Sequence, residues 1–153
     1  MGLEIERKFL VENGPWQPRA EGVEYRQGYL CTDPERVVRV RTLGERAALT
    51  IKGPSRGAVR AEFEYEIPFA EAVEILAMCD KPPIEKTRYR IPHEGFVWEV
   101  DIFHGSNEGL VVAEIELEAE NQSFAKPAWV GVEVTGDHRY SNSNLYSRPY
   151  TTW

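Results

Sequence analysis

The sequence predicts a mostly-β, α+β protein built on eight antiparallel strands. Three observations carry that reading. Apolar and polar residues alternate with period two through nearly every segment, the breaks between segments hold turn-forming residues, and a single stretch departs to helical spacing.

The elements follow in order. The first strand, Leu3 to Val11, sets Leu3, Ile5, Phe9 and Val11 on one face and Glu4, Glu6 and Lys8 on the other. A break at Asn13-Gly14-Pro15 precedes Val23 to Cys31, and Thr32-Asp33-Pro34 separates that strand from Val37 to Leu43, where Arg39 and Arg41 oppose Val38 and Val40. After Leu43-Gly44-Glu45 comes Ala47 to Lys52, with Thr50 and Lys52 opposing Leu49 and Ile51. Gly53-Pro54-Ser55-Arg56-Gly57 leads into Val59 to Ile67, whose Glu62, Glu64 and Glu66 oppose Phe63, Tyr65 and Ile67. From Phe69 to Cys79 the apolar residues Phe69, Val73, Leu76, Ala77 and Met78 recur at three- and four-residue spacing, which predicts a helix, and Pro82-Pro83 stops it.

Alternation then resumes. In Lys86 to Ile91, Lys86, Arg88 and Arg90 alternate with Thr87, Tyr89 and Ile91; in Phe96 to Phe103, Glu99 and Asp101 alternate with Trp98, Val100 and Ile102. In Leu110 to Ala119, Glu114, Glu116 and Glu118 alternate with Ala113, Ile115 and Leu117. Pro92-His93-Glu94-Gly95 and Gly105-Ser106-Asn107-Glu108-Gly109 are the intervening turns. Beyond Ala119 the pattern weakens to short helical turns at Ser123 to Lys126 and after Ser141, with Pro149 to Trp153 as a tail.

Length and charge narrow the classes. The 153 residues suit one domain, 1–153, large enough to bury roughly 70% of its unfolded surface. Hydrophobic residues at 42% and charged residues at 28% exclude a disordered chain. A net charge of -7 disfavours a generic nucleic-acid or anionic-membrane binder, because the long-range field repels phosphate. Cys31 and Cys79 make neither a disulfide framework nor a metal knuckle. A charged opening (Glu4, Glu6, Arg7, Lys8) and the lack of any run of 18 apolar residues predict a cytoplasmic protein.

The charged face of the strands is too regular for an ordinary wet surface. Ten carboxylates and seven bases share it, and several strands carry one sign only, where a face stabilised by cross-strand pairs would mix signs. Eight antiparallel strands can close into a barrel. With the charged face inward this one would enclose a tunnel lined by bases for an anion and acids for cations. Such a lining suits polyphosphate with Mg²⁺ or Mn²⁺: arginine forks match phosphate oxygens, and these metals take a few carboxylates and leave the remaining positions to water and phosphate. The outer apolar face would be covered by the 69–79 helix and the C-terminal segment. Trp16, Trp98, Trp129 and Trp153 are read as packing residues, and His93 and His104 have no ligand-like spacing.

These residues resemble the CYTH domain, or triphosphate tunnel metalloenzymes, a family of class IV adenylate cyclases, thiamine triphosphatases, RNA triphosphatases and bacterial inorganic triphosphatases. Glu4, Glu6 and Lys8 match its ExExK opening. The resemblance continues through Arg39 and Arg41, Thr50 and Lys52, Glu64 and Glu66, Lys86 and Arg88, Glu99 and Asp101, Glu114 and Glu116, and Asp137 with Arg139. It is similar above all to the short bacterial branch, which implies a closed triphosphate tunnel and a metal-dependent inorganic triphosphatase.

The resemblance also implies roles. Glu4, Glu6, Glu114 and Glu116, with Asp101 as a further candidate, are the implied ligands of Mg²⁺ or Mn²⁺. Lys8, Arg39, Arg41, Lys52, Lys86, Arg88 and Arg139 are the implied phosphate clamp, and Glu64 or Glu66 orients the attacking water. The ending departs from the bacterial pattern, with His138 and Ser141 where lysines are frequent; His138 is expected at the surface. The partner is a small polyphosphate, with neither nucleic acid nor membrane, and the chain acts as a monomer or homodimer. Organic triphosphatase, adenylate cyclase and a polyphosphate-binding module without turnover are the alternatives. A chain this short leaves little room for a nucleobase pocket, and a passive binder would gain by losing acids near its anion.

Overall fold

The computed structural model describes residues 2–11 and 21–153; the expected turn at Asn13-Gly14-Pro15 and Trp16 lie outside them. The strands are β1 (Leu3–Val11), β2 (Val23–Cys31), β3 (Val37–Leu43), β4 (Arg46–Arg56), β5 (Val59–Ile67), β6 (Ile84–His93), β7 (Phe96–Phe103), β8 (Val111–Glu116) and β9 (Val130–Glu133), with helices α1 (Phe69–Met78) and α2 (Asn142–Ser147). All pairings are antiparallel, in the order β5-β4-β3-β2-β6-β7-β8-β1-β9, and β5 also pairs with β1. Eight strands therefore close into a barrel, and β9 pairs with the C-terminal part of β1, beyond the β5 pairing, beside a bulge between Phe9 and Val11. No helix among the described residues is long and apolar enough to cross a membrane.

Several boundaries differ from the periodicity. β4 runs on through Gly53-Pro54 to Arg56, with its register against β5 shifting between Lys52 and Ser55, and the chain turns only at Gly57 (φ 61°). β6 likewise extends to His93, and a two-residue turn at Glu94-Gly95 (φ 49° and 81°) joins it to β7, the left-handed pair that matches strand twist in a tight hairpin. The segment 123–126 is irregular: Phe124 packs edge-on against Phe9, Phe96 and Trp98, which fixes it without a helix.

Two apolar cores coat the barrel's outside and a third fills one end. Phe9, Trp98, Val100, Ala113 and Ile115 pack under Phe124, Trp129 and Val130. The helix α1 lies on β3 and β4 through Ala72 and Leu76, with Ile75 and Cys79 beside them. Phe69, Val73 and Met78 stay exposed, so the buried stripe is rotated from the one the spacing picks out. The third cluster overturns the expected place of the C-terminal segment. Tyr29, Val37, Ile84, Phe103 and Val112 continue the inward-facing rows of Gln27, Arg39, Lys86, Asp101 and Glu114, and Leu145 and Tyr146 of α2 pack onto them. The segment thus plugs an end of the barrel, and its last residues are held too, Trp153 stacking edge-on against Tyr140 and Tyr150.

Candidate active site in the barrel lumen

A cavity of about 840 Å³ occupies the barrel. Strand alternation turns one residue in two toward it, and the closed sheet brings charges distant in sequence onto a common space. It gathers Glu4, Glu6, Lys8, Arg39, Arg41, Lys52, Glu64, Lys86, Arg88, Glu114 and Glu116 from the expected set. Three expected residues stand elsewhere. Glu66 lies past the rim in an exposed pair with Arg46 (2.9 Å). The side chain of Arg139 is exposed, bound to Asp137 (2.8 Å) and stacked on Tyr140 and Trp153. Asp101 is buried behind the lining, its carboxylate accepting from Arg88 Nε (2.7 Å), Arg88 Nη2 (2.8 Å) and Lys86 Nζ (2.8 Å). That is the geometry of an anchor for two cations and leaves little for a metal.

The acidic side of the lumen centres on β1 and β8, where Glu6 faces Glu116 and Lys8 faces Glu114 across the strand pair. Burial, reinforced by Glu114 and Glu4, pushes the Glu6 carboxyl well above its ordinary value, and burial with Glu62 among its neighbours raises Glu4 despite Lys52. Glu116 is raised by burial and by Glu4, Glu62 and Glu99. Burial opposes the charge of Glu114 too, but Lys8, Arg88, Lys86 and Lys52 outweigh it and hold that carboxyl far below the usual range. Three crowded acids with raised proton affinity mark a place short of positive charge. Among the described residues no three candidate ligands converge closely enough to cage an ion by themselves. The donor set fits a Mg²⁺-like ion nonetheless, because such an ion takes one or two carboxylates and completes its octahedron with water and phosphate oxygens.

The basic side divides into two. On β6, Arg88 is paired with Asp101, Glu114 (3.0 Å) and Glu99 (3.3 Å); these acids override burial and keep its proton held more tightly than normal. Lys86 is pulled down to about 8 by burial, with Asp101 opposing, and also donates to Asn142 Oδ1 (3.1 Å) at the start of α2. On β3, Arg39 donates to Thr50 (3.1 Å) and Arg41 makes a loose contact with Glu64 (3.4 Å). The Nε atoms of both are buried with no hydrogen-bond partner among the described residues. Burial, Arg39 and Arg88 lower the proton affinity of Arg41. Unsatisfied buried donors in a cationic wall are a prepared seat for an anion.

The sequence reading left Glu62 without a role. It lines the cavity one step along β5 from Glu64 and meets Lys52 at 3.4 Å, while Lys52 also reaches Glu4 at 3.2 Å. Its place on the same face as Glu64 was the available signal. His138, expected at the surface, is exposed and lines the cavity mouth together with Asp137 and Ser141.

A cation wall opposite crowded carboxylates in one lumen has the chemistry to take a polyanion together with a divalent ion. The CYTH domain matches residues 2–150, and the chain belongs to that family. It is 57% identical over 151 residues to an inorganic triphosphatase of Acetivibrio thermocellus, covering 98% of this chain and 97% of the relative. To an inorganic triphosphatase of Nitrosomonas europaea it is 37% identical over 147 residues, covering 93% and 95%. The crystal structure of the inorganic triphosphatase NE1496 superposes with a TM-score of 0.68 at 35% identity, over 94% of this chain and 93% of that one. The PH1012 protein of Pyrococcus horikoshii, 17% identical with a TM-score of 0.55 over 77% and 80%, shares the fold.

Proposed function

We propose that the protein hydrolyses inorganic triphosphate to pyrophosphate and phosphate inside the barrel, with Mg²⁺ or Mn²⁺. The observation that carries this reading is that Arg39 and Arg41, whose buried Nε donors have no hydrogen-bond partner among the described residues, line a lumen whose other side is acidic. Two close relatives named inorganic triphosphatase support it.

In this reading Arg39 and Arg41 bind the phosphate oxygens most directly, while Lys8, Lys52, Lys86 and Arg88 add charge from β1, β4 and β6. Glu4, Glu6, Glu114 and Glu116 would hold the metal, which would supply neutralisation of phosphate charge. Asp101 serves as the anchor of Lys86 and Arg88. Glu64, which lines the cavity with one oxygen on Arg41, orients the attacking water, because phosphoryl transfer asks of the protein positioning more than covalent chemistry. The two unbridged thiols, Cys31 and Cys79, fit a reducing cytoplasm.

The test is phosphate release from tripolyphosphate, ATP, thiamine triphosphate and pyrophosphate, each with Mg²⁺, Mn²⁺ or EDTA. Metal-dependent release from tripolyphosphate in preference to the others is expected. No release from any of them, with tripolyphosphate still raising the melting temperature, replaces the reading with a binding module or, if cyclic AMP forms from ATP, a cyclase.

A further inference from the structure

Tyr25 does a job in the lumen that the charged residues around it cannot do for themselves. It lies on β2, the strand between β3 and β6, pairing with Leu43 on one side and Lys86 on the other. Its ring is buried against the cavity, with the Arg41 guanidinium carbon 5.2 Å from the centroid, that of Arg88 at 5.0 Å and Lys86 Nζ at 5.8 Å. One aromatic ring thus stands among three cations from two strands. An ordinary lumen residue offers no such contact, since aromatic faces carry negative potential and attract a cation without neutralising it.

The electrostatics explain why a ring suits this place. Arg88 has Asp101 and Glu114 as partners, but among the described residues the one acid that Arg41 meets is Glu64, in a loose contact, and it feels Arg39 and Arg88 as repelling neighbours. A carboxylate at position 25 would hold the arginines together yet compete with the anionic substrate. An aliphatic side chain would leave Arg41 without a tether to the braced Arg88. A neutral ring does the holding and leaves the edge of the Arg41 guanidinium to phosphate oxygens.

We propose that Tyr25 is a positioning residue: its ring holds the β3 and β6 arms of the cation wall at the spacing that polyphosphate binding requires. This rests on the reading of the lumen as a polyphosphate site. The hydroxyl plays no part, so Tyr25→Phe keeps the function.

The test is KM and kcat for tripolyphosphate in Tyr25→Phe, in Tyr25→Leu and in a series with mono-, di- and trifluorinated phenylalanine at position 25. Fluorination drains the ring's negative face while barely changing its shape, so the series stays informative if Tyr25→Leu fails to fold. Tyr25→Phe is expected to match wild type. Tyr25→Leu and the trifluorinated variant should each raise KM about tenfold, with intermediate steps between and kcat within about twofold. A KM flat across the fluorine series overturns the proposal, and so does a loss already present in Tyr25→Phe, which would move the effect to the hydroxyl. A wild-type protein that neither hydrolyses tripolyphosphate nor binds it calorimetrically in EDTA overturns instead the reading beneath the proposal.

Discussion

On β6, Lys86 and Arg88 are tied to Asp101, Glu99 and Glu114 through contacts of 2.7 to 3.3 Å, whereas on β3 the Nε atoms of Arg39 and Arg41 are buried with no hydrogen-bond partner among the described residues. Both strands carry bases on alternate residues facing the same lumen. The difference is whether the neighbouring strand supplies an acid at the right register: Arg88 faces Asp101 across β6–β7, while Arg41 faces Ala48 across β3–β4. Similar sequence patterns therefore yield a braced cation on one strand and an available one on the other. Bracing stabilises the barrel, and availability favours a ligand.

The largest effects should come from breaking that contrast at its two ends. Arg41→Met is expected to lower kcat/KM for tripolyphosphate by about 10²-fold or more, with a melting temperature at or above wild type, since it removes a poorly paired buried charge. A variant that loses stability along with activity would show Arg41 to be braced after all. Asp101→Asn should do the reverse in stability, costing about 3–5 kcal/mol in denaturant unfolding by leaving Lys86 and Arg88 uncompensated. An Asp101→Asn protein as stable as wild type would remove the bracing argument.

A pH series sharpens the comparison on the acidic side. Asp101 and Glu114 have lowered proton affinities, Arg88 with Lys86 and Lys8 with Arg88 respectively outweighing burial, so their stabilisation is present above the ordinary carboxylate range and lost as pH falls through their folded values. Glu4, Glu6 and Glu116 are raised, so the folded state keeps protons that the unfolded chain has released, and stability falls as pH rises from the unfolded value toward the folded ones. Metal-free protein should thus melt highest near about pH 5, close to the ordinary carboxylate value, and Mg²⁺ should remove the decline above it. Glu6→Gln should raise the metal-free melting temperature at pH 8 and shrink the metal-induced rise; an unchanged metal response would take Glu6 out of the metal site. The smallest effect belongs to Arg139→Ala, expected to leave kcat/KM within about twofold because that exposed pair with Asp137 is screened by solvent.

Much of this was legible because a strand's period of two fixes which face a residue occupies. The eight barrel strands, the inward charges and α1 follow from that rule and its single exception. The period says nothing about height along the barrel axis, which depends on how the strands are staggered. So Glu64 and Glu66 look equivalent in sequence, yet one lines the lumen and the other lies beyond the rim. Nor does it reveal which inward acid is consumed by an inward base, as Asp101 is by Arg88. β9 spans four residues and meets β1 through an irregular register, too little for alternation to register. The short α2 has a Ser141 cap and a polar Asn142-Ser143-Asn144 start, which mark a helical turn after Ser141 but not that its Leu145 and Tyr146 fill the barrel end.

The barrel is joined unevenly around its circumference. β1 and β5 share three residue pairs, Leu3–Ala61, Glu4–Arg60 and Ile5–Val59, while β4 and β5 stay in register from Ala47–Ile67 to Lys52–Glu62. The cylinder consequently has a seam, and thermal breathing will begin where the fewest backbone bonds resist it. Lys52 stitches that seam from inside, reaching Glu4 on one lip and Glu62 on the other. An occupant that engages Glu4 and Lys52 then works as a clasp, and the amide protons of 3–5 and 59–61 will report the closing of the lumen by slower exchange with solvent.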